Sequence, residues 1–400
     1  MKTEPLAGLT FRRNAAILLS LAAAYLLVTD WVIEPWSACI AFAIGFAVAA
    51  AISIRAFQSD FELRFHWVLP PLTAAVVWGF IQLAAGIPQY RFATWWSTLS
   101  WAAALAFFWS ALQVFRASRL SRAFELGVVI FGALTAFEAV LQLFSGDARF
   151  YGMAVVNDDA MHVGAFRNHD HFSALMELIL PLALWSAMRA HRRTWLYFTA
   201  AGIIYASVIA SQSRAGAAIA TLEILILLAV NLLRKRARGD APKARRSVAA
   251  AIVVAIAGGV VGWSAVLDRF KVRDLFEYRR EFLQSTLRMI HDRPWFGFGL
   301  GSWPLVYPRY AFIDPGLVAN HAHNDWVEWA SDGGIVFALL IGLVALRALW
   351  ISIELPWGIG TIAVFAHAAV DFPFQRPPLL IAVLMTLALM EIEHERARRI

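Results

Sequence analysis

The chain has 400 residues, 60% of them hydrophobic and only 16% charged, with a formal net charge of +7 and a mean hydropathy of +0.62. Soluble domains carry about a quarter of their residues charged, so the composition excludes a soluble globular protein and points to an integral membrane protein. A single cysteine, Cys39, excludes an intrachain disulfide framework and a cysteine-based zinc site.

Lys2, Arg12 and Arg13 precede the first apolar run, as in a signal peptide. The run is about 20 residues long and lacks a clear small-residue cleavage site, so it reads as a first span. Apolar windows of roughly 17–22 residues, each able to cross a bilayer, then recur about twelve times. They lie near 14–33, 36–54, 66–85, 97–115, 123–144, 171–188, 195–211, 215–233, 247–266, 326–346, 357–371 and 378–392. All are expected to be helices, because backbone facing lipid must satisfy its own hydrogen bonds. The expected fold is an all-α integral membrane protein of about 12 spans, and the 17 Trp suit interfacial belts.

Orientation follows from the charge of the short loops. With the N-terminus cytoplasmic, the inner loops hold Arg55 and Arg64, then Arg116, Arg119 and Arg122, then Arg189, Arg192 and Arg193, then the cluster Arg234 to Arg246. The short outer connections carry fewer bases, and both termini fall inside. Three unusual segments then share the outer side: Tyr151–His171, Ser211–Gly216 and the long loop 268–325. In that loop Phe282, Leu283, Thr286, Leu287 and Ile290 form one apolar stripe, which predicts an amphipathic helix over Arg279–Ile290. Pro294, Gly297, Gly299 and Gly301 end it in a turn-rich stretch.

Ser211-Gln-Ser-Arg-Ala-Gly216 joins two spans with almost no loop, so Arg214 lies at the outer interface. Its guanidinium suits forked contacts with phosphate, and it equally suits a snorkelling anchor. In Asn320-His-Ala-His-Asn-Asp325, Asp325 with Glu328 reads as a capping box opening the next span. That leaves His321 and His323, whose imidazoles can take a proton from a hydroxyl near neutral pH. Asn168 and His169, in Phe166-Arg-Asn-His-Asp-His-Phe172, either line a cavity or cap the following helix. A metal site built from these histidines is disfavoured, because no His pair has the i, i+4 spacing of a metal-binding helix. Glu138, Glu177 and Glu223 within apolar windows could serve an ion path, as could Asp332, His367 and Asp371 near the outer ends. That is the transporter reading; the same groups could equally pair with Arg214 or other polar groups and only hold the bundle, and the absence of duplicated halves argues against transport.

Together these segments resemble the bacterial O-antigen ligase and O-antigen polymerase superfamily. Phe166-Arg-Asn-His-Asp-His-Phe172 with Leu180-Pro181-Leu182 is similar to the family's Asn-bearing helix start, and Ser211–Gly216 to its Ser-Arg-Gly-Gly turn. His291-Asp-Arg-Pro-Trp-Phe-Gly-Phe-Gly-Leu-Gly301 followed by His321-Ala-His-Asn-Asp325 resembles its periplasmic loop and exit motif. The departures are Ala215 where glycine is usual, Phe337 where a small or hydroxyl residue follows, and His169-Asp170-His171 after Asn168.

The resemblance implies a catalytic core over 160–345 that includes the loop 268–325, after a five-helix part over 14–144 and before C-terminal helices over 357–392, all in one polytopic domain over 1–400. It implies a fold grouped with the C-type membrane glycosyltransferases. Arg214 falls on the family's functional arginine, and His323 on its functional histidine, in a His-Asn, nine residues, Gly pattern ending at Gly334. Arg288, Arg293, His321, Asn324, Asn168, His169 and Arg167 are the expected substrate-binding residues. The implied reaction moves a glycan from a polyprenyl-pyrophosphate carrier to a sugar hydroxyl on lipid A-core or a growing glycan, at the periplasmic face of the inner membrane. It involves no cofactor, metal or nucleic acid. A repeat-unit polymerase for O-antigen, capsule or exopolysaccharide is the nearest alternative, and a secondary transporter or lipid-linked glycan flippase the alternative of another class.

Overall fold

The computed structural model describes residues 6–58, 61–145, 149–150, 154–155, 162–189, 194–237, 275–313 and 318–398. The helices are α1 (Leu6–Val28), α2 (Pro35–Gln58), α3 (Leu69–Ala84), α4 (Arg91–Val114), α5 (Ser118–Ser145), α6 (His169–Arg189) and α7 (Thr194–Ala210). They continue as α8 (Arg214–Ala237), α9 (Leu275–Asp292), α10 (Trp303–Val306), α11 (Asp325–Asp332), α12 (Gly334–Glu354), α13 (Ile359–His367) and α14 (Pro377–Arg398). Among the described residues eight helices are long and apolar enough to cross a membrane, namely α1, α2, α4, α5, α6, α8, α12 and α14, and α3 and α7 are shorter apolar helices. The chain is a multi-pass membrane protein, and its described elements are helical apart from a short antiparallel pairing of Arg149–Phe150 with Ala154–Val155. The expected span at 247–266, and Arg269, Lys271 and Arg273 of the long loop, lie outside the described residues.

Two expected spans take a different form. The window 326–346 divides into the eight-residue α11 and the span α12, which starts at Gly334. The window 357–371 holds α13, only nine residues long. Such a helix rises about 13 Å, too little for a hydrocarbon core of about 30 Å. The α11–α12 elbow depends on Gly334. Its φ is +71°, and a Cβ there would stand 2.0 Å from the Trp295 carbonyl oxygen. Gly334→Ala is therefore expected to lower stability by about 1–3 kcal/mol from the backbone alone, with the clash added. Gly342, where an added Cβ meets nothing within 4 Å, is the control, and thermal midpoints of the two variants in detergent make the comparison.

Buried Gln82 on α3 fastens this elbow to the turn-rich stretch after α9. Its amide donates to the carbonyls of Phe296 (2.7 Å) and Asp332 (2.9 Å), and its oxygen accepts from Leu300 N (3.1 Å). The glycine-rich run is thus a packed connector, and Trp78 Nε1 adds a bond to the Gly333 carbonyl (2.7 Å).

The amphipathic helix expected after 279 is α9. It belongs to a small second core of Phe282, Met289, Phe298, Trp303, Val306, Tyr307 and Ala322. Its buried stripe differs from the expected one: Phe282 and Thr286 are inside, but Leu283 and Leu287 are 38% and 51% exposed. Glu281 and Ser285 are buried in their stead. Burial of a carboxylate demands partners, and Glu281 accepts from Ser285 Oγ (2.8 Å), Phe312 N (3.1 Å) and the Tyr307 hydroxyl. The long outer loop is therefore a folded cap with a polar spine.

Candidate functional site

The site forms where the first turn of α6, the α7–α8 turn, the segment entering α11 and the segment leaving α13 meet. Asn168 is the cap of α6: its Oδ1 accepts from Asp170 N at 2.8 Å. Asp170, one residue inside, receives a bond from the Ser213 hydroxyl. It also lies 3.9 Å from Arg279 Nη2 of α9 and 3.6 Å from His169 Nε2. One carboxylate thus ties α6, the α7–α8 turn and the outer cap together.

The turn itself explains most of its own sequence. Gln212 takes a left-handed φ of +59°. Ser213 Oγ accepts from Gly216 N at 3.0 Å and so caps α8. Ser211 Oγ meets Ser173 Oγ on α6 at 2.9 Å. A Cβ on Gly216 would stand 2.5 Å from Ser173 Cβ, so glycine is what lets α8 lie against α6. Packing therefore accounts for both serines and the glycine. Arg214 is the remaining group, half-buried at the first position of α8, where the helix N-terminus adds positive potential.

His323 sits in the left-handed region at φ +51°, uncommon for a residue with a side chain. It is held there by its ring. Nδ1 is 3.0 Å from Asp371 Oδ1, across 48 residues of chain. The other oxygen, Oδ2, is 3.5 Å from His171 Nε2 on α6. Burial pushes the Asp371 carboxyl up. The hydrogen bond from His323 and the charges of His171, His323 and His367 push harder the other way, and its pKa falls below the usual carboxylate range. An ionised Asp371 only accepts, so His323 Nδ1 carries a proton, and in the neutral ring Nε2 is the atom that presents a lone pair.

The imidazoles cluster around one ring. Phe372 stacks on His321 (centroids 4.3 Å apart, 26° between planes) and meets His171 and His323 edge-on at 4.7 and 4.9 Å. The other face of His323 lies parallel to Phe282 of α9 at 6.0 Å. His321 Nδ1 is 2.8 Å from Glu328 Oε1, and Glu328 Oε2 accepts from Ala322 N at 2.8 Å. Among the described residues no three His, Cys, Asp or Glu side chains converge as metal ligands.

The capping box expected at Asp325 is corrected. Asn324 is the cap of α11, its Oδ1 accepting from Trp326 N (3.0 Å) and Val327 N (3.2 Å) while its Nδ2 donates to the Ala369 carbonyl (2.8 Å). Asp325 is instead drawn into the protein, accepting from Phe374 N and Gln375 Nε2, each at 3.0 Å. Burial first, and then the neighbouring Glu328 charge, push its carboxyl well above the ordinary value. Asn324 and Asn168 thus share one structural duty as helix caps.

The expected substrate arginines separate into two groups. Arg288 and Arg293 are exposed on the cap, with guanidinium carbons 3.6 Å from the Phe312 ring centroid and 4.8 Å from that of Phe298. Arg167 lies near buried Asp30, whose carboxyl is raised by burial against the opposing charges of Arg376 and Arg167. Arg376 forks onto Asp30, with Nε and Nη2 at 3.0 and 2.8 Å from Oδ1. Phe372 and Arg376 were not expected site residues, while Asp371 was expected only as part of an ion path and His171 only in the disfavoured metal site. The available signal was the polar and aromatic run Asp371-Phe-Pro-Phe-Gln-Arg376 interrupting an otherwise apolar C-terminal region. Of the intramembrane acids, Glu177 is paired with His367 at 2.9 Å.

Residues 198–342 match the family model described as O-antigen ligase. The match supports the O-antigen ligase/polymerase superfamily, whose members are membrane glycosyltransferase-type enzymes with lipid-linked glycan substrates. A search of curated proteins found no match. The matched segment contains the 211–216 turn, α9, His321, His323 and Gly334. His171, Asp371, Phe372 and Arg376 lie outside it, so geometry alone brings them to the site.

Proposed function

We propose that this chain transfers a glycan from a polyprenyl-pyrophosphate carrier to a sugar hydroxyl, ligase fashion, at the periplasmic face of the inner membrane. The observation that carries the reading is the hydrogen bond from His323 to buried Asp371, which leaves Nε2 of the ring as a base aimed away from its partner. Topogenic charge supports the orientation, since Arg55, Arg64, Arg116, Arg119, Arg122 and Arg189 all lie toward the end of the bundle opposite His323.

The acceptor hydroxyl gives its proton to His323 Nε2 as its oxygen bonds to the anomeric carbon. The bond from that carbon to the pyrophosphate oxygen breaks, and the carrier leaves with the electron pair. Pyrophosphate is a good leaving group that needs charge stabilisation more than protonation, and preorganised cations supply it. Arg214 at the start of α8 is placed for this, because helix N-terminal amides and a guanidinium both favour a phosphate oxygen. Arg279, 3.9 Å from the Asp170 carboxylate that Ser213 of this turn bonds, is the candidate for a second cation from the cap. Asn168, His169, Arg167, His321 and Asn324 shape the walls.

Arg214→Lys is expected to lower kcat/KM by about tenfold or more, because a point charge replaces a planar fork, with the thermal midpoint unchanged. Equal activity would reduce Arg214 to an interfacial anchor. Ligase and polymerase readings separate in a deletion strain. Long polymer left on the lipid carrier is the result expected of a ligase, and single repeat units without long chains that of a polymerase.

A further inference from the structure

Away from the catalytic end, a cavity of about 650 Å³ opens between α1 and α5, with α6 and α14 as its floor. A volume of this order suits a single small-molecule guest. Half of its α1 wall is small residues, Ala16, Ser20, Ala23 and Ala24, and the wall runs from Arg13 to Leu27, about 21 Å of helix rise. Across from it Gly127 and Val128 of α5 keep the slot open. The lining is apolar apart from Arg13 and two hydroxyls, Ser20 and Thr386. The charge is confined to one end. Arg13 there is exposed, and so are Arg119 and Arg122 in the first turn of α5. Glu125, the nearby acid, is hydrogen-bonded to Glu393 of α14.

We propose that this slot holds one acyl chain of an anionic phospholipid from the leaflet on Arg13's side, with the lipid phosphate on Arg13 and its neighbouring arginines. A long apolar slot only one chain wide fits a hydrocarbon tail, and a basic rim between transmembrane helices on the inner side is the arrangement that binds anionic headgroups. Nothing in the transfer chemistry uses these residues, so the lipid is a structural partner of the α1–α5 seam, where the two helices leave a gap. The proposal does not depend on the glycosyltransferase reading.

Native mass spectrometry tests it on the full chain released from nanodiscs of equimolar phosphatidylglycerol and phosphatidylcholine. The wild type is expected to retain phosphatidylglycerol in preference to phosphatidylcholine. Arg13→Gln is expected to lower that preference about fivefold, the effect of one basic side chain near an anionic lipid. Gly127→Leu is expected to abolish retention. A Cβ at Gly127 meets nothing within 4 Å, so the leucine occupies the slot without disturbing the fold, and an unchanged thermal midpoint verifies this. Equal retention of the two lipids would overturn the proposal, as would retention unaffected by Gly127→Leu. Displacement of phosphatidylglycerol by an equimolar amount of polyprenyl phosphate would overturn it too, and would give the slot to an isoprenoid chain.

Discussion

Replacing His323 by alanine is expected to reduce glycan transfer by about 10²–10⁴-fold, the usual contribution of a positioned general base. Donor binding should survive, because the arginines proposed to meet the pyrophosphate are elsewhere. The loss should therefore fall on kcat, with KM for the lipid-linked donor little changed. The fold should also survive. His323 side-chain exposure is 32%, and removing a ring from a left-handed position leaves α11 capped by Asn324. Transfer by the purified variant in proteoliposomes, read as polyprenyl pyrophosphate released per unit time, makes the measurement. Near-normal turnover would remove His323 from the chemistry.

Asp371→Asn is the second large effect. Asparagine has nearly the same shape, but its amide can donate to His323 Nδ1, which fixes the wrong tautomer and leaves Nε2 protonated and unable to act as base. The same exchange in a serine-protease triad lowers kcat by about 10⁴-fold, and a loss of about 10²–10⁴-fold is expected here. A residue that acts only through His323 should add nothing once His323 is gone, so the double variant should match His323→Ala alone. Additive losses would show Asp371 acting independently. The pH dependence follows from its lowered pKa. A carboxyl depressed on folding contributes stability that is complete above its unfolded value of about 3.9 and is lost as pH falls through the lower folded value. The carboxylate should therefore stay ionised throughout pH 5–8, and the gap in thermal midpoint between wild type and Asp371→Asn should narrow only as pH falls below the unfolded carboxyl value of about 3.9.

The parts of this architecture that hydropathy controls were legible in the sequence. Runs such as 97–115, 171–188 and 215–233 emerge as the spans α4, α6 and α8. The amphipathic helix α9 also emerges, but with its stripe turned. Periodicity ranks Leu283 above Glu281, whereas three specific hydrogen-bond partners from later in the chain make Glu281 the buried residue. The 326–346 window failed for a related reason. Trp326, Trp329 and Ala330 look apolar enough to continue the span, and the break comes from the backbone demand at Gly334.

The sequence singled out Arg214 and His323 as candidates because a cation at a span junction and histidines at a membrane mouth are not needed for packing. The partner of His323 was not. Asp371 is 48 residues away and sits in a window that reads as a span. Its pairing depends on α13 being short enough to place its outer end beside the segment entering α11. Choosing between Asn324 and Asp325 as the cap likewise needed the 374–375 donors, since both side chains cap equally well in isolation.

The most direct measurement is transfer by the purified wild-type chain in proteoliposomes supplied with a synthetic polyprenyl-pyrophosphate glycan and a sugar-lipid acceptor. Stoichiometric appearance of glycosylated acceptor and free polyprenyl pyrophosphate, abolished by His323→Ala and by Asp371→Asn, is the predicted result. Movement of the intact lipid-linked glycan across the bilayer without bond cleavage, insensitive to His323→Ala, would contradict it.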